Sequence, residues 1–137
     1  MSQDYCRIIA FDVGDVWIGV AHTDLTRTLV FSHDIWKIED FNKKFDEYVV
    51  KNKIKSIVIG FPVTMKGGIS EQTKKIIGFK EKLLDKTNIP IYFQDERLSS
   101  EFAKNIIRSQ FQGKKKQDHA VSAAVILENF LALYKKP

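Results

Sequence analysis

A single cysteine, Cys6, leaves no partner for an intramolecular disulfide, and it lies in a strand-like run where a small buried thiol is ordinary. A reducing compartment fits. No apolar stretch approaches the length of a membrane span, and Met1-Ser2-Gln3-Asp4-Tyr5 carries no basic segment leading into an apolar one. The expectation is a soluble, cytoplasmic protein with no membrane partner. Internal repeats, low-complexity tracts and interdomain linkers are also missing, and 137 residues at 44% hydrophobic content suffice for one core but not two. Residues 1–137 therefore read as one domain. Acid is absent from Phe102 to Gln117, where Lys104, Arg108, Lys114, Lys115 and Lys116 are all basic. That run, in a chain of net charge +5, is either an electrostatic footprint for a phosphate backbone or a solvated basic face.

What is present is a change of hydrophobic period. Arg7 to Phe11, Trp17 to Ala21 and Leu29 to Trp36 are strand-like and separated by turns, giving an antiparallel meander. From Glu39 to Asn52, Phe41, Phe45, Tyr48 and Val49 recur at helical spacing. Ile54 to Ile59 is a β-branched strand stopped by Gly60 and Pro62. Val63 to Ile69 forms a loop, Ser70 and Glu71 open a helix reaching Lys86, and Ile89 to Phe93 makes the last strand. Ser99 can cap a further helix carrying Phe102, Ala103, Ile106 and Ile107. Gln112 to Gln117 then reads as a connector, and a final helix runs from about Asp118 to Tyr134, apolar nearly all round between Ala120 and Leu127. The order predicts an α/β fold, a mixed five-stranded sheet of three antiparallel strands then two parallel ones, with helices on both faces.

Three carboxylates stand where elements meet turns: Asp12 in Phe11-Asp12-Val13-Gly14, Glu96 in Asp95-Glu96-Arg97-Leu98-Ser99, and Asp118 at the start of the last helix. Acids gathered from separate elements suit a hard divalent cation, Mg²⁺ or Mn²⁺, and point to metal-assisted phosphodiester chemistry. Each has a blander explanation as a turn former, a surface ion-pair member or a helix cap. Asp-x-Gly also opens the phosphate-binding hairpin of sugar kinases and actin-like ATPases, but those need two lobes and this chain has room for one.

Taken together, Phe11-Asp12-Val13-Gly14, Ile18-Gly19-Val20-Ala21, Gly60-Phe61-Pro62, Asp95-Glu96-Arg97-Leu98-Ser99 and Ser122-Ala123-Ala124-Val125-Ile126-Leu127-Glu128 resemble the YqgF or RuvX family, in order and over nearly the whole chain. The resemblance implies a ribonuclease H-like fold and a cytoplasmic nuclease. Its substrate would be nucleic acid, precursor 16S ribosomal RNA before branched DNA, with ribosomal particles as partners and a monomer or weak homodimer as the working unit. Asp12, Glu96 and Asp118 would be the catalytic and metal-holding acids. Gly14, Arg97, Lys104, Arg108, Lys114, Lys115, Lys116 and His119 would contact substrate.

Two departures from the family pattern matter. The family's third carboxylate stands eight residues before the Leu of the Ile-Leu pair, and here that place holds His119, with Asp118 displaced by one. One residue turns a helix by about 100°. Asp118 is taken as the retained acid, while His119 as its replacement and Asp118 as a mere N-cap stay open. In the first hairpin, Val16 and Trp17 replace basic residues, so either the indole stacks on substrate or Trp17 is a partly buried strand aromatic.

Overall fold

The computed structural model describes residues 5–61, 70–95 and 115–134. Its elements are β1 (Arg7–Val13), β2 (Trp17–Thr23), β3 (Val30–Lys37), a 3₁₀ turn (Ile38–Asp40), α1 (Phe41–Asn52), β4 (Ile54–Phe61), α2 (Glu71–Lys86), β5 (Ile91–Asp95) and α3 (Lys115–Tyr134). The five strands form one sheet in the order β3-β2-β1-β4-β5. β3, β2 and β1 pair antiparallel, and β1, β4 and β5 pair parallel. This is the expected mixed sheet.

Alternation along the central strands sorts side chains to two faces. Ile9, Phe11, Val13, Ile18, Val20, Trp36, Ile57 and Ile59 meet Phe41 and Phe45 of α1 and Ile76 and Leu83 of α2. Ile8, Ala10, Ala21 and Val58 meet Ala123, Ala124, Ile126, Leu127 and Phe130 of α3. Helices thus cover both faces. Ala120 to Leu127 are buried all round, as a stretch apolar at every position but Ser122 requires.

Local chemistry sets the boundaries. Ser70 caps α2, its Oγ accepting from the Thr73 N–H at 3.1 Å. Lys53, at φ 55°, makes the left-handed turn that ends α1 and lets β4 begin at Ile54. One expectation is corrected: α3 starts at Lys115, so Lys115 to Gln117 are helical rather than connector. Lysine and glutamine are good helix formers, and their polarity concealed this. Asp118 is accordingly inside the helix and not its N-cap. The helix expected after Ser99 lies outside the described residues. Among the described residues no helix is long and apolar enough to cross a membrane.

Candidate active site

Asp12 stands one residue before the end of β1, and strand alternation puts it with Ile8 and Ala10 on the face that α3 covers. Opposite it in β2 is Gly19. A Cβ at Gly19 would fall 1.9 Å from the His119 carbonyl oxygen and 2.1 Å from its carbonyl carbon, so the backbone of α3 rests directly on the strand there. Ser32 of β3 adds a hydrogen bond from its Oγ to the Ala120 carbonyl at 3.4 Å. This seating carries the His119 side chain to Asp12, with Nδ1 3.2 Å from Asp12 Oδ2.

Gly14 makes the space for that ring. Its N–H donates to the Trp17 carbonyl at 2.9 Å, closing the β1–β2 turn. A Cβ on it would come within 2.8 Å of His119 Cε1 and 3.2 Å of Nε2. The pair is sheltered but reachable, with 16% of the Asp12 side chain and 34% of the His119 side chain exposed. α2 braces the same turn from its other side: Gln72 Nε2 donates to the Val13 carbonyl at 2.7 Å, and Lys75 pairs with Asp15. The ammonium of Lys75, through its hydrogen bond and then its charge, holds the exposed Asp15 carboxyl below its usual range, with His119 contributing less.

Of the residues singled out in the sequence, Asp12, Gly14 and His119 come together here. Asp118, Lys115 and Lys116 belong to α3 by backbone, while their side chains, like all of Glu96, Arg97, Lys104, Arg108 and Lys114, lie outside the described residues. Among the described residues no three His, Cys, Asp or Glu side chains converge on one point. Trp17 is a half-buried strand aromatic with Lys37 Nζ 5.7 Å from its ring centre. The seat at Gly19 went unread in the sequence as a structural device, although a glycine inside an apolar strand is itself a sign of close backbone approach. Gln72 and Lys75 gave no such sign, being two polar residues on an amphipathic helix.

Residues 6–133 match the family model described as "RuvX: Holliday junction resolvase". The chain belongs to the RuvX family. Within curated proteins this RuvX-family chain is 36% identical over 138 aligned positions to the Rickettsia felis protein named "Putative pre-16S rRNA nuclease", covering 94% of this chain and 88% of the relative. The Rickettsia conorii protein of the same name is 35% identical over 133 positions, covering 90% and 84%. A solved structure of T. thermophilus RuvC in complex with a Holliday junction substrate superposes with a TM-score of 0.62 at 10% identity, over 96% of this chain and 97% of that one. The likeness establishes a ribonuclease H-like fold for the RuvX-family sheet.

Proposed function

We propose that this chain is a divalent-metal-dependent nuclease that hydrolyses phosphodiester bonds in precursor 16S ribosomal RNA, maturing its 5′ end during ribosome assembly. The observation that carries the reading is the meeting of Asp12 and His119 at 3.2 Å across β1 and α3, in a gap kept open by Gly14. The names of the Rickettsia relatives support the RNA substrate. A partly exposed carboxylate is the hard oxygen donor that Mg²⁺ or Mn²⁺ takes, so the described part of the site fits such an ion. Asp12, Glu96 and Asp118 would hold it. When bound, the ion supplies Lewis-acid charge at the scissile phosphate.

The chain's own groups do the positioning. His119 Nδ1 fixes the orientation of Asp12 Oδ2, the role that hydrogen-bonded neighbours play for metal-holding carboxylates. Imidazole suits Mg²⁺ poorly, so His119 is better placed to orient Asp12 and move a proton than to bind the metal. The basic residues Arg97, Lys104, Arg108 and Lys114 to Lys116 hold the flanking backbone. The family description favours a second reading, cleavage of branched DNA by the same acids, which requires two copies acting on one junction.

The test incubates purified protein with a labelled small-subunit rRNA precursor and with a synthetic four-way DNA junction, in Mn²⁺ or in EDTA. The variants are Asp12→Asn, Asp118→Asn and His119→Ala. Metal-dependent cutting of the precursor that vanishes in Asp12→Asn and falls about 100-fold in His119→Ala is expected. Full activity in Asp12→Asn sinks the mechanism, and cutting of the junction alone transfers the site to the DNA reading. RNA binding without cutting, indifferent to EDTA, would make the chain a silent binding module.

A further inference from the structure

On the face of the sheet opposite Asp12, β3 and α1 enclose a groove of about 240 Å³ lined by His33, Trp36, Lys44, Glu47, Tyr48 and Lys51, with Asn52 at its end. It is built by an irregularity. Val20 pairs with Asp34 and Ala21 with Ser32, so His33 is the extra residue of a β-bulge. Bulges re-aim side chains, and this one turns His33 to the α1 side. Its exposed ring lies 4.7 Å from Tyr48, 5.3 Å from His22 and 6.3 Å from Trp36, centre to centre.

Two polar atoms near this cluster have no hydrogen-bond partner among the described residues, the buried Tyr48 hydroxyl and the buried Arg7 Nε. Such atoms are rare in folded proteins. Burial pushes the Tyr48 phenol up to about 12 and lowers both His22 and His33, so near neutral pH the phenol is intact and the imidazoles are uncharged. Lys44, Tyr48 and Lys51 follow one another at helical spacing along one side of α1, setting two exposed ammonium groups beside the rings, with the exposed Glu47 carboxylate between them in sequence.

We infer that this groove is a second nucleic-acid contact, in which one base of a single strand stacks on His33 and the adjoining phosphates meet Lys44 and Lys51. Size, charge and chemistry select that occupant. The volume is below the roughly 300–1,000 Å³ of small-molecule sites, which admits one ring system but not a whole nucleotide cofactor. An aromatic platform flanked by cations is how single strands are held without reading sequence. β3 is an edge strand two strands, about 10 Å, from Asp12, so a strand passing around that edge can reach both sites. The inference rests on the nucleic-acid reading above and concerns binding alone.

The test is fluorescence anisotropy with a labelled single-stranded RNA oligonucleotide in EDTA, where no strand is cut, across a salt series. His33→Ala is expected to weaken binding about five-fold or more. The double variant Lys44→Glu/Lys51→Glu, both surface positions that leave the core intact, is expected to weaken it about ten-fold and flatten the salt slope by about 1.4. Wild-type affinity and slope in both variants would overturn the inference. Equal displacement by an abasic phosphate strand would overturn the stacking by showing charge alone. Because binding is read apart from cleavage, an inactive wild-type protein would refute the nuclease reading without deciding this one.

Discussion

Beneath α1 and α2 the sheet presents Phe11, Val20 and Trp36 to Phe41, Phe45 and Phe79, whereas beneath α3 it presents Ala10, Gly19 and Ala21 to Ala123 and Ala124. On the first face Phe11 alone has four aromatic neighbours with ring centres 5.2 to 6.2 Å away, so large rings fill the space between sheet and helices. On the second, Ile8 and Val58 still pack on Ile126, Leu127 and Phe130, but the missing side chain at Gly19 brings helix backbone onto strand backbone at His119. Both faces bury apolar side chains. The α3 face supplies the precision, because a helix in direct contact with β2 at Gly19 holds His119 against Asp12.

The contrast can be broken from either side. Phe11→Ala empties the centre of the aromatic cluster and should cost about 4 kcal/mol, read from urea unfolding. A loss below about 1 kcal/mol would mean the cluster is redundant. Gly19→Ala puts a methyl into the α3 backbone, which cannot swing aside, and should cost about 3 kcal/mol. Cleavage should fall further than that unfolding explains, because His119 shifts with its helix. A wild-type midpoint would show that α3 is not seated as described.

Gly14→Ala sharpens the distinction between seat and site. Its new methyl meets the His119 ring and the Trp17 carbonyl, so cleavage should drop about 10- to 100-fold while the unfolding midpoint moves much less than in Gly19→Ala. Equal damage to both would merge the two roles.

A smaller effect comes from pH. Burial lowers the His22 and His33 pKa values below the ordinary 6.5, so as pH falls through 6.5 the unfolded chain takes up protons that the folded chain resists. Stability should therefore decline from pH 6.5 downwards until the lowered folded values are passed. Arg7 and Lys44 reinforce the direction, while the Thr23 carbonyl at His22 and Asp34 at His33 oppose it. Melting curves at pH 7.5 and 5.5 should differ more for the wild type than for His22→Gln/His33→Gln, and identical differences would remove these rings as the cause. Smallest of all, Lys75→Ala breaks an exposed pair with Asp15 and should leave the melting temperature unchanged at moderate salt.

Much of this was open to a reader of the sequence, and the reasons differ by element. The strands and helices follow from hydrophobic period, which is local, and so does the burial of Ala120 to Leu127. The start of α3 at Lys115 is not legible, because a lysine-rich run looks the same in a loop and in a first helical turn. Asp12 and Gly14 stood out because a turn motif is read within a few residues. His119 stood out only as a mismatch to a family pattern, with nothing in its neighbours to say which way it would point.

The sequence by itself determined the order of elements, the two-faced sheet and the family, because periodicity and motif spacing are properties of the chain taken a few residues at a time. Only the tertiary structure decided that His119 meets Asp12, 107 residues away in the chain. The reason is steric: a missing Cβ at Gly19 sets how closely α3 approaches, and a missing Cβ at Gly14 sets where the imidazole comes to rest.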